Sequence, residues 1–291
     1  LHMTEADGTR KSFQDSWSNY DEYIEWLAGV IDGLYGLLKK DGWLYSHNQV
    51  EGNFLALGKV DNKVRRSYYT NISWVRSHPH NNVRVGWGNI VDSIMAIRKG
   101  EPYFDVEFAP LDPTYAANSF GHEDERGNYA LAPVTGEKSR PGHQYEYKGY
   151  SPTFGWRYAE ERTRELDEQG LLHFGKNRPY KKIYRSESKG KPIQNLWDDI
   201  SNLTRTERNK RNYPTQKPLK MLERIVRTSC PPGGRVLDPF CGSGTTALAT
   251  FNVGDGRSCD TYDISEPALD IASLAMKESG VQVARLPELP R

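Results

Sequence analysis

The stretch Asp238-Pro239-Phe240-Cys241-Gly242-Ser243-Gly244-Thr245-Thr246 constrains this chain more than any other. It follows a short apolar run, Arg235-Val236-Leu237, that reads as a buried strand, and precedes a helical run from Ala247 to Phe251. A second strand is expected from about Ser258 to Tyr262, ending at Asp263, with Pro267 opening a helix through Met276. Strand, glycine loop, helix, strand and acid form a βαβ unit, so the chain is expected to build an α/β sheet with a nucleotide-type site. Just upstream, Pro218 starts a helix with an apolar stripe of Leu219, Leu222, Ile225 and Val226, and Pro231-Pro232-Gly233-Gly234 ends it.

The loop also narrows the ligand. It lacks the third glycine of GxGxxG and the lysine of a P-loop, which disfavours pyrophosphate. Asp238 at the strand end suits an amine-bearing or cationic ligand. Asp263, 25 residues on, suits a carboxylate that grips ribose hydroxyls. An amine, a ribose and no phosphate describe S-adenosylmethionine.

A second helix–turn–strand unit opens the chain. Ile24, Leu27, Ile31, Leu34 and Leu38 share one helical face over residues 21–38, with Ser18 or Asn19 as the cap. Lys39-Lys40-Asp41-Gly42 ends the helix and Trp43 to His47 reads as a strand. The middle of the chain, 105–191, has weak periodicity and is dominated by tyrosine, glycine, proline and charge; one short helix is expected at 159–169. With 36% hydrophobic residues and a mean hydropathy of −0.76, the 291-residue chain has much wetted surface around its core. Its net charge of +1 announces no nucleic-acid partner, so any such partner is read from local patches. Three cysteines, none in CxxC spacing, read as free thiols. No membrane-length apolar run or signal peptide is visible, and Leu1-His2-Met3 reads as a cloning remnant before a start codon. The expected location is the bacterial or archaeal cytoplasm, at the nucleoid.

Asp238 to Thr246 resembles motif I of the DNA amino-methyltransferases that form N6-methyladenine or N4-methylcytosine. Asn212-Tyr213-Pro214-Thr215-Gln216-Lys217-Pro218 resembles the segment just upstream of it in the β-class permutation, where the catalytic half precedes the cofactor half. Leu196-Trp197-Asp198-Asp199-Ile200, Ser12 through His47, Trp74 to His78 and Asn89 to Ile97 are similar to further family segments. Residues 110–129 and 145–158 resemble an insertion found in one bacterial branch. The resemblance implies a Rossmann-like S-adenosylmethionine-dependent methyltransferase sheet, circularly permuted, with a loop-rich insertion. It implies a catalytic-side half at 1–104, a target-recognition insertion at 105–190 and a cofactor half at 191–291. The implied cofactor contacts are Asp238, Pro239, Phe240, Cys241, Gly242, Ser243, Gly244, Thr245, Asp263, Thr215 and Lys217, with Lys217 toward the methionine carboxylate. The implied activity is site-specific methylation of double-stranded DNA, of restriction-modification type, on adenine N6 in preference to cytosine N4.

One departure matters. The family's catalytic tetrapeptide, Asp/Ser/Asn-Pro-Pro-Tyr/Phe, is expected upstream of Ser12 and does not occur there. Asp112-Pro113-Thr114-Tyr115 lacks the second proline and lies inside the insertion, so Asp112 and Tyr115 are poor substitutes and the catalytic residues stay unassigned. The alternative reading is an incomplete subunit or relic that binds cofactor and DNA and needs a partner chain, or a homodimer, to supply the segment. Without the strand that carries it, Ile24 and Ile31 are expected to be exposed. DNA contacts are expected from the run Lys176 to Lys191, which has seven basic residues and one acid: Lys176, Arg178, Lys181, Lys182 and Arg185, interleaved with Tyr180 and Tyr184. Arg205, Arg208, Lys210 and Arg211 follow. His47, His78, His122 and His143 have no metal spacing and no metal is expected.

Overall fold

The computed structural model describes residues 2–4, 10–12, 16–77, 86–204, 213 and 215–284. His78 and the basic residues Arg205, Arg208, Lys210 and Arg211 lie outside them, as do Asn212 and Pro214. The chain divides into two compact units, one of Leu1–Glu107 with Ile193–Arg291, the other Phe108–Pro192.

The first unit opens with β1 (His2–Thr4) paired antiparallel to β2 (Arg10–Ser12). Helix α1 (Tyr20–Leu37) follows. Asn19 is its cap, its side chain accepting from the Glu22 N–H at 2.9 Å, while the Ser18 N–H donates to Glu22 Oε2 at 2.7 Å. The cation at its far end is not Lys39 or Lys40. Lys99 Nζ, arriving from another strand, donates to the carbonyls of Tyr35 and Leu38 at 3.0 and 2.8 Å. Then come β3 (Gly42–Asn48), α2 (Val50–Lys59), α3 (Asn62–Arg66), β4 (Tyr68–Val75) and β5 (Val91–Lys99).

β5 pairs antiparallel with both β3 and β4, and β12 (Leu196–Trp197) adds to β4 in parallel, giving the order β12-β4-β5-β3. Alternation splits β5 between two cores. Met95 and Ile97 pack with Ile24, Leu27, Ala28, Ile31 and Tyr35 of α1 and with Ala56 of α2. Ile94 packs with Ile72, Trp74, Trp197, Ile200 and Met221. The expected exposure of Ile24 and Ile31 is therefore overturned: both are 1% exposed, because β3, β5 and α2 already cover that face. Burying each such side chain contributes roughly 1.5–3 kcal/mol.

The C-terminal part of the unit runs α6 (Leu219–Ser229), β13 (Arg235–Asp238), α7 (Thr245–Val253), β14 (Ser258–Thr261) and α8 (Glu266–Glu278). β13 and β14 are parallel, Val236 opposite Cys259. Among the described residues β13 pairs with β14 alone and β3 with β5 alone, so each stands at the edge of its sheet.

The second unit is rich in loops, yet it also holds a four-stranded antiparallel sheet that the weak periodicity did not announce. β7 (His122–Asp124), β8 (Gly127–Pro133), β10 (Pro179–Tyr184) and β9 (Leu172–Phe174) pair in that order. β6 (Phe108–Ala109) and β11 (Lys191–Pro192) pair at its ends, with α4 (Pro113–Ser119) and α5 (Glu160–Glu168) between. Its core is aromatic. Tyr145 stacks on Trp156 at 5.3 Å, and each hydroxyl finds a partner: Tyr145 to the Tyr158 carbonyl, Tyr147 to Asp167, Tyr150 to the Gly175 carbonyl. The tyrosines of this weakly periodic region pack against the core because their polar ends are satisfied inside.

Arg224 ties α6 to the 193–200 segment. Its side chain is buried, lies over the Trp197 ring at 5.0 Å, and donates to both Asp199 oxygens and to Glu107 Oε1 at 3.2 Å. These bonds hold the Asp199 carboxyl below its ordinary range. Arg224→Met is expected to cost about 1–2 kcal/mol at neutral pH, less than a fully buried pair because Asp199 is half exposed. A depressed carboxylate stabilises the fold above its unfolded value and loses that stability as the pH falls. The difference between wild type and variant in denaturant midpoint should therefore shrink in acid.

Candidate functional site

The glycine loop is shaped by the two acids that the sequence singled out. Asp238 ends β13, accepts from the Phe240 N–H at 3.0 Å on one oxygen and from the Thr246 hydroxyl on the other. Burial pushes its carboxyl up from the usual value, the neighbouring charge of Asp263 adding to this. Asp263 accepts from the Gly242 N–H and from the Ser265 N–H, both at 2.9 Å. One carboxylate thus holds the loop and the start of α8 together. Backbone bonds from Cys241 N–H to the Tyr262 carbonyl and from Tyr262 N–H to the Asp238 carbonyl, each 2.9 Å, extend the parallel pairing past the strand ends.

Two glycines are required where they stand. Gly242 has φ +49° and a Cβ there would lie 2.9 Å from the Tyr213 ring. Gly244, the cap of α7 at φ +73°, would collide with Ala272 at 2.8 Å. The loop therefore passes between Tyr213 and α8 at backbone-contact distance. Cys241, Ser243 and Thr245 are buried, Ser243 and Thr245 sharing a hydroxyl bond of 3.0 Å. Burial, with the charges of Asp263 and Asp238, pushes the Cys241 thiol up to about 12, so it is a neutral packing group. Phe240 is left 55% exposed, its ring 5.7 Å from Trp26 of α1. Pro239 sits between Asp238 and that ring. Ile264, which the sequence reading missed, is 89% exposed directly after Asp263. Its signal was an apolar residue following a strand-end acid. Two acids with exposed apolar surfaces beside them, and no lysine or arginine in the loop, match a ligand with ribose, a flat ring and positive charge.

Tyr213 joins the segment around Thr215 and Lys217 to this loop, being the ring that Gly242 touches. Thr215 is exposed in a turn. Lys217 is largely buried: burial lowers its pKa, and the charges acting on its ammonium are those of Asp92 and Arg76, at the rim of the four-stranded sheet. His47 belongs to the same rim, its ring 6.0 Å from Trp74. No group of three or more His, Cys, Asp or Glu able to hold a metal occurs among the described residues.

In the second unit the basic run is divided by strand geometry. Lys181 and Lys182 are neighbours on β10 and point to opposite faces. Lys182, expected as a DNA contact, is ion-paired within the unit. Its ammonium donates to Asp124 Oδ2 at 2.6 Å and lies 5.0 Å from the Tyr129 ring, while the Tyr184 hydroxyl donates to the same oxygen at 2.8 Å. The carboxylate balances the lysine's charge. Lys181 is half-buried, while Lys176, Arg178 and Arg185 are exposed, Arg178 lying over the Tyr180 ring at 5.1 Å. Asp112 spends its carboxylate capping α4, accepting from the Tyr115 N–H at 2.8 Å, with Tyr115 exposed. A helix cap explains Asp112-Pro113-Thr114-Tyr115 without catalysis.

The Lys182 hydrogen bond holds the Asp124 carboxyl down at about 2. Lys182→Met is expected to lower the melting temperature of the protein at neutral pH. The effect should fade as pH falls from 3.8 toward 2, where wild-type Asp124 also becomes protonated. Differential scanning calorimetry across that range reads it directly.

A family model described as DNA methylase (N6_N4_Mtase) matches residues 6–273. The type II methyltransferase M.EcaI of Enterobacter cloacae is 28% identical over 235 residues, 78% of this chain and 52% of that protein. The type III restriction-modification enzyme StyLTI Mod subunit of Salmonella typhimurium is 28% identical over 257 residues, 79% of this chain and 38% of that one. The chain thus spans about half the length, or less, of these two relatives. A crystal structure of an M1.HpyAVI–SAM complex superposes with a TM-score of 0.47 at 16% identity, covering 89% of this chain and 85% of that one. The match of the family model over nearly the whole sequence places this chain in the N6_N4_Mtase family of DNA methylases.

Proposed function

We propose that the protein binds S-adenosylmethionine on the loop Asp238–Thr245 and serves site-specific methylation of the exocyclic amine of a base in double-stranded DNA. The observation that carries this reading is the pair Asp238 and Asp263, which order a glycine loop while presenting carboxylates and no cation to the ligand. The remaining lone pairs of Asp263 suit ribose hydroxyls, and Phe240 and Ile264 offer apolar surface to an adenine. S-Adenosylmethionine supplies an activated methyl on its sulfonium. The chain's own task is to hold that cofactor, exclude water and bring a flipped-out amine in line. Adenine N6 is favoured over cytosine N4. Lys176, Arg178 and Arg185, exposed on the second unit, are the groups for phosphate.

A second reading is favoured by the sheet edges. β3 and β13 each have one unpaired side among the described residues. A strand leading into Asp/Ser/Asn-Pro-Pro-Tyr/Phe would pair there and deliver acceptors for the amine, whether from the same polypeptide or from a partner chain. The chain as given would then bind cofactor and DNA and transfer no methyl group until that segment is supplied.

Asp263→Ala is expected to weaken S-adenosylhomocysteine binding roughly ten- to a hundredfold, the loss of charge-assisted hydrogen bonds worth about 1.5–3 kcal/mol. Calorimetry on the folded variant checks this, and unchanged affinity would remove Asp263 from the site. Incorporation of tritiated methyl into mixed-sequence DNA separates the two readings. Activity of the chain alone supports the first. Activity only after adding or fusing a fragment with the tetrapeptide supports the second.

A further inference from the structure

Trp87 is 99% exposed, the largest apolar side chain left wholly to water among the described residues. It stands between Gly86 and Gly88 in the segment that leaves β4 and enters β5. No atom lies within 4 Å of where a Cβ on Gly86 would sit, so the tip is bare on that side. The root of the segment is nonetheless fixed. The Arg76 N–H donates to the Ile90 carbonyl at 2.9 Å, and one of the terminal nitrogens of its buried side chain donates to the Asn89 carbonyl at 3.0 Å. Trp87 is thus an indole two residues from a pinned carbonyl, on a braced base. Leaving it in water forgoes the burial that a large aromatic normally supplies to a core or an interface.

The segment lies at the same end of the first unit as the glycine loop. β3 and β4 both run antiparallel to β5, so both finish at one rim, where Trp87 leads into β5. Asp92 and Arg76 at that rim act on Lys217, and Tyr213, four residues before Lys217, is the ring against Gly242 of the loop. The surroundings of Trp87 decide what it suits. A protein interface centres its tryptophan in a broader apolar patch, and here the neighbours are Gly86, Gly88 and Asn89, with Ile90 38% exposed. A single planar ring on a narrow tip instead matches the slot between two stacked base pairs. Glycines on either side let such a tip approach a sugar–phosphate backbone closely. A base drawn out of a duplex leaves a slot of this kind behind it.

We propose that Trp87 is an aromatic wedge that enters the base stack of duplex DNA and fills the space vacated by the extruded nucleotide. This rests on the functional reading above and adds to it a DNA contact on the first unit, of a different chemistry from the cations Lys176, Arg178 and Arg185 of the second. Trp87 neutralises no phosphate, so its contribution does not depend on salt. Arg76 is a positioning residue that holds the tip through the Asn89 and Ile90 carbonyls.

The test compares wild type with Trp87→Ala and Trp87→Phe on three probes: a mixed-sequence duplex, the same duplex with one central abasic site, and S-adenosylhomocysteine. Wild type is expected to bind the abasic duplex more tightly than the intact one, because a stack already missing a base costs less to open. Trp87→Ala is expected to weaken duplex binding roughly five- to a hundredfold, the range for losing one base–aromatic stack. It should also abolish the preference for the abasic duplex and leave the slope of log K against log salt unchanged. Trp87→Phe recovers most of the affinity. S-Adenosylhomocysteine affinity and the melting temperature stay level, since a side chain this exposed packs against neither the loop nor the core. Duplex affinity unchanged by Trp87→Ala, an abasic preference that survives it, or a flattened salt slope overturns the wedge. A loss of S-adenosylhomocysteine affinity overturns it too, by placing the ring over the cofactor. So does self-association of the wild type that Trp87→Ala abolishes, which makes the indole a protein contact. Wild-type protein that binds no duplex overturns the functional reading and the wedge together, whereas a wild type that binds and an alanine variant that matches it overturn the wedge alone.

Discussion

β5 is covered on both faces, and the rest of the first unit is arranged around that constraint. A strand in this position has no side open to water, so every polar group on it must be met from within. Ser93 is met by Asn53 of α2, which donates to both its carbonyl and its hydroxyl at 3.2 and 2.8 Å and to the Ser46 carbonyl at 2.9 Å. That network fixes α2 against β3 and β5 and leaves nothing unsatisfied. Asp92, on the opposite face, is met only in part. Burial pushes its carboxyl up, and His47, Arg76 and Lys217 pull it down by more. The same strand thus carries one finished polar network and one unfinished, and the unfinished one lies at the rim of the sheet.

The parallel pair β13-β14 works differently. It is short, and its stability comes from what wraps its ends: Asp238 and Asp263 hold backbone N–H groups, Gly242 and Gly244 let Tyr213 and Ala272 approach, and α7 and α8 pack through Leu248, Ala275 and Met276. Each of the four carboxylate oxygens that shape the loop already accepts one hydrogen bond and keeps a further lone pair. In the proposed function, preorganisation and binding draw on the same two carboxylates.

The second unit shows how a basic sequence is partly neutralised by folding. A run of cations in the sequence becomes, on β10, one lysine held by a carboxylate and one half-buried on the other face, with the exposed charge remaining at Lys176, Arg178, Arg185, Lys189 and Lys191. Strand alternation and the position of Asp124 at the end of β7 decide this, and neither is visible in a charge count.

Much of the first unit was legible because its signals are local. The periodicity of Ile24, Leu27 and Ile31 gave α1, the strand–glycine–helix–strand order gave β13 to β14, and the acids ending those strands gave the loop its two anchors. What only the tertiary structure decided depends on residues distant in the chain. Lys99, rather than the neighbouring lysines, closes α1, because the β5 register brings it there. Ile24 and Ile31 are covered because β3, β5 and α2 pack on that face, which no count of missing segments revealed. Tyrosines of the middle region became core once their hydroxyls found carbonyls and carboxylates to bond. Local sequence specifies period, cap and turn; which polar group meets its partner is settled only when strands distant in the chain are laid side by side, as where His47 of β3 comes to 3.4 Å from Asp92 of β5.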